Sequence, residues 1–248
     1  MRLTVIGAGP AYTDRPDASG AAYLVEHGST RVLLDLGQGS FPRLFTHLAP
    51  WALDAVIVSH LHPDHFVDLV PLRHYLRWEF DPPRRVRVIG PAALAERLDA
   101  LHAQPGFTAQ ALDTETLGTT RRVIGRLEAT GRLVTHTEES YAIRLTADDG
   151  GPALVYTGDC GRADDVAPLI APGDTLLSEV SFGPGPAIPG AQHLDGPAVG
   201  ALAAATHAGR VLLTHLLMGY DPDETVASVR ARYDGPVELV WPGARLEL

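Results

Sequence analysis

Residues 55–65, which read AVIVSHLHPDH, are the most informative stretch of this 248-residue chain. The apolar run 55–58 leads into a cluster of His60, His62, Asp64 and His65. A short apolar run bounded by polar residues is typical of a buried strand, so the cluster is expected where a strand ends. The pattern His-x-His-x-Asp-His arises by chance on the order of once in a thousand such chains, which makes a functional interpretation preferable.

Further metal-binding residue types recur in the same context. Three other short apolar runs lead to His136, Asp159 and His215. If all four runs are strands, these side chains and those of the cluster meet at one sheet edge. Five imidazoles and two carboxylates are enough ligands for two metal ions. The sequence therefore predicts a metallohydrolase.

The spacing within the cluster suits two adjacent ions. In an extended turn His60 and His62 point the same way, whereas Asp64 and His65 can reach the other side of the loop. Imidazole suits zinc, and a shared carboxylate suits bridging ions about 3.5–4 Å apart. We expect two divalent ions, zinc first, although manganese or iron fits the same ligand types. The four positive charges of two divalent ions exceed the two negative charges of the carboxylates, so the centre would attract an anionic phosphate.

Composition narrows the partners. The net charge of −10 disfavours extended nucleic acid, which basic surfaces bind. There is no apolar run of about 20 residues and no amino-terminal signal pattern, so we expect a cytoplasmic protein without membrane contact. The single cysteine, Cys160, excludes an intramolecular disulfide framework. A homodimer is expected only because dimers are the most frequent assemblies.

The apolar periodicity predicts strands and helices interspersed in both halves of the chain, and no linker separates the halves. We therefore expect one α/β domain, residues 1–248, with helices packed outside two sheets. Strands are predicted over 2–6, 22–26, 31–35, 55–58, 86–89, 123–128, 132–135, 141–146, 153–157, 175–179, 211–213 and 237–240. Helices are predicted over 41–47, 65–78, 92–101, 195–207 and 222–232.

These motifs resemble those of the metallo-β-lactamase superfamily. The resemblance rests on residues 59–65, on His136, on residues 156–159, on His193 and on residues 214–216, and it spans about residues 1–220. Within the superfamily it points to the phosphodiesterase branch, which holds tRNA 3′-processing endonucleases and phosphoribosyl cyclic phosphate phosphodiesterases. The implied fold is a four-layer αββα sandwich with the metals at one edge.

The resemblance also implies roles for the residues. One metal would be held by His60, His62, His136 and Asp159. The other would be held by Asp64, His65, His215 and the shared Asp159. Asp64 would also orient the metal-bridging water or accept its proton, and His193 would contact the scissile phosphate and assist the leaving oxygen. The position of His193, between a Gly/Pro loop and a helix start, would let its imidazole reach a bound substrate.

Two features depart from the family pattern. The endonucleases carry a long arm that grips tRNA between the equivalents of His136 and Asp159, whereas only 22 residues intervene here. Relatives often carry a hydroxyl residue two positions after His193, where this chain has Asp195. That carboxylate could cap the helix, hold the imidazole protonated or repel a phosphate. The loop 182–190 could act as a lid, which its glycine and proline content suggests but does not decide.

The leading hypothesis is a dinuclear phosphodiesterase that acts on small or cyclic phosphodiesters through a metal-bridging hydroxide. An RNA 3′-end endonuclease is a second interpretation, which the short 137–158 segment opposes. Hydrolysis of a lactone, lactam or thioester is a third, and it leaves His193 without a task. A metal-dependent scaffold without catalysis is the alternative of a different class, and a complete set of costly ionisable ligands opposes it.

Overall fold

The structure of the protein is a computed structural model that describes residues 1–15 and 17–248. The strands of its first half are β1 (Arg2–Gly7), β2 (Ala22–His27), β3 (Thr30–Leu34), β4 (Ala55–Ile57), β5 (Val86–Gly90) and β6 (Leu112–Thr116). Those of its second half are β7 (Arg122–Ile124), β8 (Leu127–Leu133), β9 (Tyr141–Ala147), β10 (Leu154–Tyr156), β11 (Thr175–Glu179), β12 (Arg210–Thr214), β13 (Val237–Leu239) and β14 (Arg245–Glu247).

The helices of the described residues fall into the same two groups. The first half contains α1 (Ser40–Leu44), α2 (Pro63–Phe66), α3 (Leu69–Trp78) and α4 (Leu94–His102). The second half contains α5 (Ala163–Val166), α6 (Gly196–Thr206) and α7 (Pro222–Arg230). None of these helices is long and apolar enough to cross a bilayer.

The strands of the described residues form two seven-stranded sheets. The first has the order β14-β1-β2-β3-β4-β5-β6, and the second has the order β13-β12-β11-β10-β9-β8-β7. Counted from β14, the first sheet has three antiparallel pairings followed by three parallel ones. Counted from β7, the second sheet has the same sequence of pairings. The two sheets therefore repeat one pattern of strand pairing.

Alternation along the strands produces the layers. In the segment that precedes the histidine cluster, Ala55 and Ile57 pack into the core between the sheets. Val56 and Val58 point the other way and pack under α1–α4. A third core lies between the second sheet and α5–α7. Because successive side chains of a strand point to opposite faces of the sheet, each central strand has two buried faces. The layers are therefore helices, sheet, sheet and helices, and the predicted αββα sandwich is confirmed.

Several local predictions differ from the structure. The predicted helix 65–78 is interrupted, because the His65 carbonyl accepts a hydrogen bond from Leu36 N (2.7 Å) instead of continuing the helix. The predicted strand 123–128 is divided by a turn between β7 and β8. The predicted strand 132–135 is not separate, because its first residues form the end of β8. Strands β6 and β14 were not predicted, since their exposed, charged sequences lack an apolar run.

Candidate metal centre

Segments that follow four strands bring the predicted ligands together. The loop after β4 carries His60 and His62, and helix α2 carries Asp64 and His65. The loops after β8, β10 and β12 carry His136, Asp159 and His215. We call one group, in which the ligand atoms lie within 4.8 Å of one another, the first subsite: His60, His62, His136 and Asp159. The group that meets the same criterion on the other side is the second subsite: Asp64, His65, Asp159 and His215. The structure therefore brings all seven residues to one place.

Asp159 lies between the subsites and turns one oxygen toward each. Its Oδ2 lies 3.7 Å from Nε2 of His60 and 3.7 Å from Nε2 of His136. Its Oδ1 lies 3.3 Å from Nε2 of His65 and 3.5 Å from Nε2 of His215. A carboxylate in this position can serve two ions at once.

The spacing of the nitrogens fits divalent metal coordination. Nδ1 of His62 and Nε2 of His136 are 3.1 Å apart, and the Nε2 atoms of His65 and His215 are 3.3 Å apart. A tetrahedron with Zn–N bonds of about 2.0–2.1 Å has edges of about 3.3 Å. His60 Nε2 and Asp159 Oδ1 are buried, and neither has a hydrogen-bond partner among the described residues. Buried polar atoms without partners are costly, so the donor set fits two bound ions.

Backing partners fix the imidazoles. The Nδ1 atoms of four histidines meet acceptors or hydroxyls outside the subsites, which leaves each Nε2 turned inward. These pairs are His65 with Asp35 Oδ2 (2.7 Å), His136 with the Gln192 carbonyl (2.8 Å), His215 with Ser181 Oγ (3.0 Å) and His60 with Ser59 Oγ (3.1 Å). Such partners set the tautomer and the ring orientation that a metal ligand requires.

Asp35 makes the most side-chain hydrogen bonds of the residues that orient the ligand imidazoles. Besides His65, it accepts hydrogen bonds from Ser59 N (2.6 Å), Ser59 Oγ (2.7 Å) and the Tyr156 hydroxyl (2.8 Å). Its backbone has φ 58°, in the left-handed region, and His215 has φ 59°. Residues other than glycine in this region cost about 1–3 kcal/mol and are held there by their surroundings. Four non-glycine residues have positive φ among the described residues; these two lie at the metal centre, and Ala103 and His207 end helices α4 and α6.

The two subsites differ in accessibility and in protonation. All four residues of the second subsite are buried, whereas solvent reaches His62 of the first. Burial lowers the pKa of His60 well below its usual value, so its ring is neutral and offers a lone pair. Burial also lowers the pKa of His65, but the negative charges of Asp159 and Asp35 outweigh this effect. The pKa of His65 is therefore raised well above its usual value. In the metal-free protein, His65 is therefore a charged partner of these carboxylates.

His193 lies against the subsites with its Nδ1 toward a buried carboxylate. Nδ1 is 3.1 Å from Glu179 Oε1 and 3.9 Å from Asp159 Oδ2. Burial lowers the pKa of His193, but the hydrogen bond and charge of Glu179 outweigh it and raise the pKa above its usual value. Because Nδ1 is bound, Nε2 is the atom left to meet a substrate.

Glu179 is the site residue that sequence reasoning missed. It ends β11 as a buried carboxylate and accepts hydrogen bonds from the backbone of Cys160 (2.9 Å), Ser181 (3.1 Å) and Leu194 (3.2 Å). The available signal was the pattern that identified Asp159, an apolar strand followed by a carboxylate. Cys160 is buried, and its thiol donates to the Arg162 carbonyl, so it is a packing residue beside the site.

Asp195 caps α6 and anchors the Gly/Pro loop. Its Oδ1 accepts a hydrogen bond from Ala198 N (2.9 Å), and its Oδ2 accepts one from Ala187 N (2.9 Å). Of the three roles considered for this carboxylate, capping is the one that its contacts show, and Glu179 is the carboxylate that holds His193. Phe182 N also donates to the Leu194 carbonyl, so the loop is attached at several points in this conformation.

Comparison with known proteins identifies the family. The sequence model of the Beta-lactamase superfamily domain matches residues 30–216, three quarters of the chain. This chain belongs to the Beta-lactamase superfamily. It is 28% identical to the Bacillus subtilis protein named "Probable metallo-hydrolase YhfI", over 98% of this chain and 100% of that one. The YhfI crystal structure superposes with a TM-score of 0.88 over 99% of each chain.

Two further solved structures share the fold at lower identity. The short form of human tRNase Z is 18% identical and has a TM-score of 0.76 over 100% of this chain and 99% of its own. A diphosphatase of the PhnP family is 17% identical and has a TM-score of 0.76 over 100% of this chain and 97% of its own. The fold, the family membership and the relation to YhfI identify the chain as a metal-dependent hydrolase.

Proposed function

We propose that this hydrolase uses two divalent ions, zinc by ligand preference, to cleave small or cyclic phosphodiesters. The observation that carries the proposal is the position of Asp159, which turns one carboxylate oxygen to each subsite while His193 stands beside both. His60, His62 and His136 would complete one coordination set, and Asp64, His65 and His215 would complete the other. When bound, such ions polarise a phosphoryl oxygen and lower the pKa of water to about 7.

The protein side chains supply the proton transfers. Asp64 Oδ2 lies 3.1 Å from His215 Nε2 in the second subsite, and from there its carboxylate would orient an attacking water and accept its proton. His193, held by Glu179 through Nδ1, would donate a proton from Nε2 to the leaving oxygen. A general acid of this kind contributes about 10²–10⁴-fold to the rate.

The short segment between His136 and Asp159 favours a small substrate over RNA. Residues 137–158 contain β9, β10 and the turns that flank them, which leaves no additional chain for an arm. The protein also carries a net charge of −10, which opposes a long polyanion. Among the superposed structures, the names tRNase and diphosphatase both describe enzymes that break phosphorus–oxygen bonds, which supports phosphodiester chemistry.

The test is metal content together with turnover of bis-p-nitrophenyl phosphate. We expect two metal ions per chain and a rate that falls about 10²–10⁴-fold in His193→Ala with metal content unchanged. His47→Ala is a matched control, since His47 lies at Arg245 and outside the subsites. Two ions without phosphodiester turnover, or a His193→Ala enzyme with full activity, would contradict the proposal and favour an acyl substrate. Cleavage of a pre-tRNA faster than of small diesters would favour the endonuclease interpretation.

A further inference from the structure

A cavity of about 620 Å³ opens beside the first subsite. Residues from three segments line it: 61–62 after β4, 91–97 at the start of α4, and 133–141 from the end of β8 to the start of β9. His62 belongs both to this wall and to the first subsite. A chemical group that fills the cavity would therefore lie next to a substrate bound at the subsites.

The walls of the cavity present hydrocarbon next to a polar centre. Leu61, Pro91, Ala92, Ala93 and Leu133 form its apolar surface. Leu133 is 53% exposed although it is a large apolar residue. Exposed apolar surface that borders a reaction centre is typical of a binding site, and volumes of about 300–1,000 Å³ are usual for small-molecule pockets. The space greatly exceeds what a methyl or ethyl ester requires.

The polar residues of the cavity include Thr137, Glu138, Glu139 and Arg97. Glu139 is already used, since it accepts hydrogen bonds from the Tyr141 hydroxyl (2.7 Å) and from Ala92 N (2.8 Å), and so it joins two of the lining segments. Arg97 is exposed, and within the described chain no carboxylate lies within ion-pair distance of it. A guanidinium presents several donors in a plane and also stacks on flat rings. Arg97 is therefore available to a ligand in the cavity.

We propose that this cavity selects the substrate by holding the ester group that the reaction retains. The group it fits is bulky, flat and largely apolar, with an oxygen or nitrogen acceptor at the position that Arg97 reaches. The leaving oxygen belongs on the other side, because His193 does not line the cavity. This inference rests on the proposed phosphodiesterase activity and deepens it by naming the class of diester.

Ala93→Trp tests the inference by filling the cavity from an exposed position. Two substrates share a p-nitrophenolate leaving group and differ in the retained ester: bis-p-nitrophenyl phosphate and methyl p-nitrophenyl phosphate. We expect Ala93→Trp to raise KM for the bulky diester about tenfold and to leave kcat/KM for the methyl ester within about twofold. Ala205→Trp, on the exposed side of α6, is the matched control and should change neither.

Arg97→Ala is the second variant, and it removes a side chain on the surface rather than adding bulk. We expect it to raise KM for the bis-p-nitrophenyl diester at least threefold, with Arg97→Lys intermediate, because only the guanidinium offers a planar set of donors. Equal losses on both substrates, or no change in either variant, would overturn the cavity assignment while leaving the phosphodiesterase intact. If the wild-type protein with both metals bound cleaves neither diester, the proposed function itself fails, and the cavity assignment fails with it.

Discussion

The two subsites use the same ligand types but lie in different surroundings. The second is buried throughout and is backed by the Asp35 carboxylate, which itself receives bonds from Ser59 and Tyr156. The first includes His62, which solvent reaches, and it borders the cavity. Its His136 is backed only by a backbone carbonyl. If two ions bind as proposed, the second subsite would retain its ion more tightly, and the first would present its ion to the substrate.

Asp159→Asn should impair metal binding at both subsites, because both depend on this carboxylate. We expect loss of both ions and a fall in turnover of more than about 100-fold, beyond the 10–100-fold typical of outer partners of a metal site. Metal content per chain and phosphodiester turnover measure the effect, with Asp149→Asn on the surface as the control. Retention of one ion at full occupancy would show that Asp159 serves a single subsite.

Removing one imidazole from each subsite should destabilise the fold to different extents. In metal-free protein, His65→Ala leaves the buried Asp35 without its charged partner, so the free energy of unfolding should fall by about 3–5 kcal/mol. His62→Ala removes an accessible ring, and the change should stay within about 0.5 kcal/mol. Urea denaturation of both variants measures these values. Equal destabilisation would mean that burial does not distinguish the subsites.

Asp35→Asn should weaken the second subsite more than the first, because Asp35 contacts His65 directly but reaches His60 only through Ser59. Asparagine tolerates the left-handed backbone that this position requires, so the substitution mainly removes the charge behind His65. We expect metal affinity at one of the two sites to fall about 10–100-fold while the affinity at the other falls less. Competition with a chelator, followed by titration of both ions, resolves the two affinities. A uniform loss at both sites would instead indicate a general loosening of the fold.

Much of this centre could be predicted from the sequence, because each ligand follows a strand whose apolar pattern is clear. The apolar run 55–58 identifies β4, and the density of imidazoles in the cluster that follows is typical of a metal site. The same reasoning extends to Asp159 and His215. It could have reached Glu179, since β11 contains the apolar pair Leu176 and Leu177 and also ends on a carboxylate.

Other features depend on contacts between distant segments and leave no local pattern. The cavity is formed by three segments far apart in sequence, so neither Arg97 nor Ala93 shows its position on its own. The interruption between α2 and α3 arises from a hydrogen bond between Leu36 and His65. Strand β14 has three residues and pairs with β1 at the opposite end of the chain. Pairing of this kind is set by tertiary packing, which strand propensity describes poorly.

The distribution of the ligands between the two sheets has a consequence for stability in the cell. His60, His62, Asp64 and His65 follow a strand of the first sheet, whereas His136, Asp159 and His215 follow strands of the second. Each ion would thus clamp one sheet to the other, as a removable cross-link. Since a ligand that binds only the folded chain stabilises it by mass action, the melting temperature would follow the free metal concentration. Metal supply would then determine how much of the protein persists as well as how much of it is active.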